Sequence, residues 1–182
     1  MDKIKKNTSL VCVITGDVFH NKSDLSPECV KIGSDFLKNC ADRVPTILIA
    51  GNHDATLANK NRMDSLSPIV NALQHDNLFY LKDTGVYILG DILFNNFSVF
   101  DESSPEKYIK FADIPKTYVR NANYIIGLYH GGVNDAITDV GFRITNRSIS
   151  NALFDGHQIV LLGDIHKYQV LQQYDDASNL PA

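Results

Sequence analysis

The chain has 182 residues, of which 21% are charged and 9% aromatic, and its formal net charge is −4. This length is typical of one domain that can bury a core without metal or disulfide support, so we expect a single domain over residues 1–182. The acidic balance argues against a surface that is basic throughout, as in many nucleic-acid-binding proteins, but it does not exclude a local basic path.

The three cysteines, Cys12, Cys29 and Cys40, form no CxxC pair. This spacing argues against a zinc knuckle or a disulfide framework, and we expect each thiol to be free and buried. No segment has the pattern of a signal peptide, and no apolar run approaches the roughly 20 residues that cross a bilayer. We therefore expect a cytoplasmic or nuclear protein that is not secreted and has no membrane partner.

The first third of the sequence predicts a parallel crossover unit. Residues 10–15 form an apolar, β-branched run that ends at Gly-Asp, the pattern of a buried parallel strand. Ser26 and Pro27 predict the start of a helix that continues to about Asp42. Residues 46–50 form the second buried strand, so the order is strand, helix, strand. The apolar face of the helix is predicted to comprise Val30, Phe36, Leu37 and Cys40.

The central part of the sequence predicts a second helix and then a meander. Residues 65–74 carry apolar residues at helical spacing, which favours a helix. The runs 78–81, 86–89 and 92–100 indicate short strands joined by turns. Residues 101–116 are polar and are expected to form a surface excursion with one helical turn.

The last part predicts two more buried strands, at residues 124–129 and 159–162, with a short helix between them at 148–153. Residues 168–174 are expected to pair with the second of these strands. The mixture of parallel units and a meander favours two sheets packed together with helices outside, which is an α/β class.

Polar side chains follow four of the predicted strands. Because parallel strands end on one edge of their sheet, and ligands bind along that edge, these residues are candidate site residues. They offer imidazole, carboxylate and amide groups, which are common metal ligands. The set consists of Asp17, Asn52, His53, Asp54, His130, Asp164 and His166.

The first two strand ends each have a chemical and a structural interpretation. Asp17 has two oxygens that can bridge two cations, or it is a turn aspartate. Asn52 offers an oxygen to a hard cation, or it occupies a left-handed turn. His53 can protonate a leaving oxygen with Asp54 orienting its imidazole. His20 can contact a substrate phosphate, or it has no role.

The last two strand ends are open to the same two interpretations. His130 precedes two glycines and is either a ligand or a core histidine whose hydrogen bonds are satisfied. Asp164 and His166 are two residues apart, so in an extended segment both side chains point to one side and can serve adjacent metals. The alternative is a polar turn. The remaining histidines, His75 and His157, are expected at the surface or in turns.

With these residues in place, the chain resembles the calcineurin-like metallophosphoesterases. Residues 16–17, 51–54, 130–131 and 163–166 resemble the second to fifth motifs of that family, in order. The Gly-Asp-Val-Phe-His form at 16–20 and the Gly-Asp-Ile-His-Lys form at 163–167 are most similar to the DNA double-strand-break repair nucleases of the family. That group includes the nuclease subunit of the bacterial SbcCD complex and its eukaryotic counterpart.

The resemblance implies a four-layer αββα sandwich with two central sheets, and a site with two divalent metal ions. Manganese suits these nitrogen and oxygen ligands best, and iron or zinc are alternatives. Asp17 would bridge the ions, His166 would bind the first, and Asn52 and His130 the second. His53 would be the general acid supported by Asp54, and His20 would help to hold the scissile phosphate.

Two departures qualify the resemblance. The first family motif, Asp-x-His, is missing, since no histidine precedes Asp17. Asp164 stands where the family usually has histidine, and it is either a replacement ligand or no ligand. We therefore expect a fragment, incomplete at both ends, that lacks the first strand and part of the second sheet and has weak activity or none.

The leading interpretation is a nuclease that acts on DNA. Related nucleases work with an ATPase partner subunit and dimerise, so an ATPase partner and a homodimer of the full-length protein are also implied. The alternatives are a phosphatase or small-molecule phosphodiesterase, and a degenerate member that binds nucleic acid or a protein partner without cutting.

Overall fold

A computed structural model describes residues 10–20, 25–57, 59, 62–145 and 149–172. Its contacts divide the chain into two compact units, residues 1–82 and 83–182. Each unit contains one sheet with helices, so the expected α/β class with two sheets is confirmed. Among the described residues, no helix has the length and apolar character that a membrane span requires.

The first unit contains a three-stranded parallel sheet in the order β1-β2-β3, formed by Cys12–Ile14, Thr46–Leu48 and Leu78–Tyr80. Helix α1 spans Pro27–Ala41, and helix α2 spans Leu66–Leu73. Both helices and the first two strands agree with the sequence prediction. The strands are shorter than predicted.

Helix α1 begins as the sequence predicts. The Ser26 side chain accepts a hydrogen bond from the backbone N–H of Cys29, and Pro27 occupies the first turn. The helix packs against α2, β2 and β3. Its buried positions are Gly33, Leu37 and Ala41.

The predicted apolar face of α1 is therefore wrong in part. Phe36 is 49% exposed, whereas Gly33 is buried because the ring of Phe19 occupies the space that a Cβ would need. Cys29 is also exposed, contrary to the expectation of a buried thiol, although all three cysteines are free.

The third strand is the main correction in this unit. The sequence predicted residues 78–81 as the first strand of a meander, but β3 pairs in parallel with β2. Helix α2 is the connection between these two strands, and a helical crossover returns the chain in the parallel direction. Residues Asp83 and Thr84 therefore begin the second unit and do not form a hairpin turn.

The second unit contains a four-stranded sheet in the order β4-β5-β6-β7. Strands β4 and β5 form an antiparallel hairpin, and β6 and β7 add in parallel. Their bounds are Gly85–Leu89, Ile92–Phe97, Tyr124–His130 and Ile159–Gly163.

The segment between β5 and β6 is more structured than predicted. It contains three 3-10 turns, at Val99–Asp101, Pro105–Lys107 and Phe111–Asp113, followed by helix α3 at Lys116–Asn121, which the sequence did not predict. Three of its residues enter the core: Val99 is buried, Tyr108 packs on the aromatic cluster, and Ile114 packs on Leu93.

The C-terminal predictions have a mixed outcome. The short helix is a 3-10 turn at Asn151–Phe154, and its predicted start at Ser148 lies outside the described residues. The predicted strand at 168–174 is wrong for residues 168–172, which are irregular, and its last two residues lie outside the described residues. The core of the unit is aromatic, and the rings of Phe97, Tyr108, Tyr129 and Phe154 pack on one another.

Candidate functional site

The predicted site residues of each unit follow the carboxyl ends of its parallel strands. In the first unit, Asp17 comes three residues after β1, and residues 52–54 form the turn after β2. In the second unit, His130 is the last residue of β6 and Asp164 comes directly after β7. Within each unit the two loops therefore lie at one edge of the sheet, as the sequence predicted.

Asp17 adopts a rare backbone conformation. Its φ is 54°, and Gly16 before it has a φ of 92°, so two successive residues have positive φ. A side chain with a Cβ seldom adopts this conformation without a compensating contact. The compensation here is a hydrogen bond of 2.9 Å from the backbone N–H of His53 to Asp17 Oδ1. The carboxylate thus faces the loop after β2.

Gly51 is required by this arrangement. A Cβ at residue 51 would overlap the carboxylate and the backbone nitrogen of Asp17. Any larger residue would therefore separate the loop after β1 from the loop after β2. This explains the glycine of the Gly-Asn-His-Asp motif, which the sequence identified only as a pattern.

Asp54 joins the same two loops from inside the unit. It is fully buried, and its carboxylate accepts hydrogen bonds from the backbone N–H groups of Gly51 (3.0 Å), Val18 (3.3 Å) and Phe19 (3.1 Å). Burial raises the pKa of the Asp54 carboxyl, the three N–H donors act in the opposite direction, and the charge of Asp17 raises it further.

The predicted role of Asp54 therefore needs correction. The sequence assigned it to orient the His53 imidazole, but its two oxygens accept backbone N–H groups of both loops. The ring atom Nδ1 of His53 lies 2.6 Å from the backbone carbonyl oxygen of His20 instead. Asp54 stabilises the loops, and the His20 carbonyl holds the ring of His53.

The structure brings the two histidines of the first unit together. The rings of His20 and His53 are stacked, with centroids 5.0 Å apart and planes inclined by 17°. Asn52 is half-buried in the turn directly before His53. The substrate contact expected for His20 and the metal contact expected for Asn52 remain predictions.

In the second unit, His130 and Asp164 lie side by side because His130 pairs with Gly163 across the β6–β7 ladder. The His130 side chain is 2% exposed, and its Nε2 lies 3.9 Å from Asp164 Oδ1. This is too long for a hydrogen bond, but two ligand bonds of about 2.1 Å can span it. An imidazole nitrogen and a carboxylate oxygen at this separation fit one divalent ion.

The argument that linked Asp164 to His166 is wrong. It assumed an extended segment, but Asp164 has a φ of 79°, so side chains no longer alternate there. His166 is exposed, whereas Asp164 is half-buried beside His130. His166 lines a cavity of about 550 Å³ in this unit, together with Val160, Leu162 and Ile165.

Sequence reasoning missed one polar cluster in the second unit. His157 was expected at the surface or in a turn, but it is 5% exposed. Its Nδ1 lies 2.8 Å from the Phe154 carbonyl oxygen, and its Nε2 lies 3.0 Å from Asn95 Nδ2 and 3.2 Å from the Tyr108 hydroxyl. Burial lowers the pKa of His157, and its backbone hydrogen bonds raise it by less. The available signal was Asn95 itself, an amide inside an apolar strand.

A comparison with known proteins bears on the family of the chain. The family profile described as calcineurin-like phosphoesterase matches residues 1–168, which include loops of both units. A protein of Acanthamoeba polyphaga mimivirus, named only as uncharacterized, is 41% identical over 176 residues. The match covers 94% of this chain and 13% of that protein, so the chain spans a small part of its relative. The family uses divalent metal ions and hydrolyses phosphoesters, and the chain belongs to the calcineurin-like phosphoesterase family.

Proposed function

We propose that this chain carries a dinuclear metal centre and hydrolyses phosphodiesters, with DNA as the substrate. The proposed ligands are Asp17, Asn52, His130, Asp164 and His166. The observation that supports it best is the placement of these residues in loops after parallel strands, two loops in each unit, in a family whose profile spans both units.

The chemistry of the ligands supports divalent metal ions, with manganese as the first choice and iron or zinc as alternatives. The set offers imidazole nitrogen, carboxylate and amide oxygen and no thiolate. When bound, two such ions activate water and neutralise charge on the phosphate oxygens. Asp164 supplies a carboxylate where the family usually has histidine, which adds negative charge and favours a harder metal.

His53 is the proposed general acid. Its backbone N–H is bonded to Asp17 Oδ1, and its ring is bonded to the His20 carbonyl, so both its main chain and its side chain are held. In this role His53 gives a proton to the leaving oxygen as the phosphorus–oxygen bond breaks. Histidine suits this task because its ordinary pKa is close to neutral pH.

The preference for DNA rests on the motif form at residues 16–20, which is most similar to the repair nucleases. Phe19 gives this form a structural reason, since its buried ring packs over Gly33 and anchors the loop that carries Asp17 and His20. A phosphatase shares the ligand chemistry, so substrate preference must be measured.

The first experiment measures manganese-dependent hydrolysis of bis-p-nitrophenyl phosphate, p-nitrophenyl phosphate and linear DNA by the whole chain. We expect manganese-dependent turnover of the diester and of DNA, because the proposed nitrogen and oxygen ligands suit this ion. On DNA, His53→Ala should lower the rate at least about 100-fold, which is in the range of general acid catalysis. Asp17→Ala should lower it as much, because it removes a proposed ligand of the metal ions. Asp113→Ala, an exposed carboxylate in a 3-10 turn, is the matched control.

The outcomes separate the alternatives. Turnover that survives Asp17→Ala or His53→Ala would refute the site assignment. A preference for the monoester would identify a phosphatase. Absence of any turnover at saturating manganese, together with retained DNA binding, would favour a binding module.

A further inference from the structure

The strongest unexplained contact in the first unit is the pair formed by His20 and His53. The two rings stack with centroids 5.0 Å apart at an angle of 17°, and His53 Nδ1 lies 2.6 Å from the backbone oxygen of His20. One residue therefore contacts His53 both through its ring and through its carbonyl.

The carbonyl contact has a definite chemical consequence. A carbonyl oxygen can only accept a hydrogen bond, so Nδ1 of His53 must carry the proton in this contact. The neutral ring then has its lone pair on Nε2, and the proton that the charged ring gives up is the one on Nε2. The backbone of His53 is held independently by the hydrogen bond to Asp17 Oδ1.

Among the residues that the structure describes, no carboxylate contacts Nδ1 of His53. The natural alternative would be Asp54, next to His53 in sequence, but its oxygens accept the N–H groups of Gly51, Val18 and Phe19. The orientation of the His53 ring thus depends on the loop after β1 and, within it, on His20.

We propose that His20 is a positioning residue that acts through His53: its carbonyl keeps a proton on Nδ1 and its ring fixes the imidazole plane, so that Nε2 is the nitrogen that protonates the leaving oxygen. This rests on the proposed function of His53 as general acid. In the step, water attacks phosphorus and the bond from phosphorus to the leaving oxygen breaks. The leaving oxygen takes the Nε2 proton, a proton of the attacking water passes to solvent, and solvent later reprotonates Nε2.

The competing role for His20 is a direct contact between its ring nitrogens and the substrate phosphate. Two substitutions at this exposed position distinguish the roles. His20→Phe keeps a flat ring that can stack and removes both ring nitrogens. His20→Asn keeps a polar group and removes the ring. Both variants retain the backbone carbonyl.

Kinetics on linear DNA with manganese provides the first readout, because its alkoxide leaving group needs a proton, whereas p-nitrophenolate leaves as a stable anion. Positioning predicts that His20→Phe keeps kcat within about 3-fold of the wild type, whereas His20→Asn lowers kcat at least about 10-fold and changes KM little. A phosphate contact predicts the reverse order, with a raised KM in His20→Phe. Equal losses in both variants, or a larger loss in His20→Phe, would overturn the proposal.

Nitrogen-15 NMR of the imidazoles provides a second readout that needs no activity. Positioning predicts that His53 carries its proton on Nδ1 in the wild type and in His20→Phe. In His20→Asn the carbonyl remains, but no ring holds the imidazole plane against it, so the two tautomers should mix. A His53 ring protonated on Nε2 in the neutral wild type contradicts the proposal even if the enzyme is active. If the wild type is inactive but His53 carries its proton on Nδ1, the proposed function is contradicted. The positioning of the His53 ring by His20 is then still supported.

Discussion

The two units hold their site residues by different physical means. In the first unit, carboxylates accept hydrogen bonds from backbone N–H groups. Asp54 accepts three such bonds, and Asp17 accepts one from His53. In the second unit, the residue directly before His130 belongs to an aromatic core, since Tyr129 stacks on Phe97. At the opposite end of the same sheet, the buried His157 is hydrogen-bonded to uncharged groups.

The contrast shows that loop geometry can be fixed by charge or by packing. The two kinds of loop should differ in how strongly substitutions and pH affect their stability. A buried carboxylate with backbone donors has no substitute of equal shape and charge, so the first unit should respond strongly to single substitutions. Protonation of a buried, neutral histidine costs free energy, so the stability of the second unit should depend on pH.

The largest effect is expected from Asp54→Ala. The substitution leaves the N–H groups of Gly51, Val18 and Phe19 without their acceptor, and we expect the free energy of unfolding to fall by about 3 kcal/mol. Urea unfolding followed by circular dichroism measures it. The matched control is Asp35→Ala on α1, an exposed carboxylate that pairs with Lys31 one turn away, where we expect little change. Equal losses in the two variants would mean that the buried carboxylate stabilises the first unit no more than an exposed one does.

The next effect is expected from Gly51→Ala. The added methyl would overlap Asp17, so the loop must shift, and overpacking of this kind costs about 2 kcal/mol. Because Asp17 is a proposed ligand, manganese affinity should fall as well. Gly85→Ala at the start of β4 is the control, since the atom nearest to a Cβ there belongs to the Tyr87 ring, at an ordinary distance of 3.7 Å. Unchanged stability and affinity in Gly51→Ala would mean that the two loops do not approach closely.

A smaller effect is expected from pH in the second unit. Burial lowers the pKa of His157, so the unfolded chain binds its proton first as the solution is acidified. The stability is complete above the ordinary pKa of about 6.5 and declines below it, by at most about 1.4 kcal/mol per pH unit, until the lowered pKa is reached.

Unfolding curves between pH 7.5 and 5 test this expectation. His157→Gln should remove the part of the slope that His157 causes. Tyr108→Phe, which removes the hydroxyl near Nε2 and keeps the ring, should lower stability at every pH and keep the slope. A slope that persists unchanged in His157→Gln would assign the acid sensitivity to other groups.

Much of the fold could be predicted from local sequence. Ser26 and Pro27 locate the start of α1, and the apolar runs locate β1, β2, β6 and β7, because capping and burial leave local signals. The partner of β3 could not be predicted, since pairing depends on the path of the chain between strands. Helix α3 was missed because its residues, Lys116–Asn121, include none that is buried.

The residues of the candidate site could be selected from the sequence, but most of their contacts could not be predicted. Asp17, His53 and His130 were identified from glycines and strand ends, which are local features. The hydrogen bonds of Asp54 join residues 35 and 36 positions apart, and no local pattern encodes such a contact. The same applies to the hydrogen bond between His157 and Asn95, which are 62 positions apart in the sequence. The positive φ of Asp164 was not foreseen either, because it belongs to a residue other than glycine.

The most direct test of the central claim, that these strand-end loops hold divalent metal, is calorimetric titration of the whole chain with manganese. We expect at least one bound equivalent, and at least about 10-fold weaker binding in Asp17→Asn and in His130→Asn, variants that alter one loop in each unit. Asp113→Ala should bind as the wild type does. Absence of bound manganese, or equal affinity in all four proteins, would contradict the account.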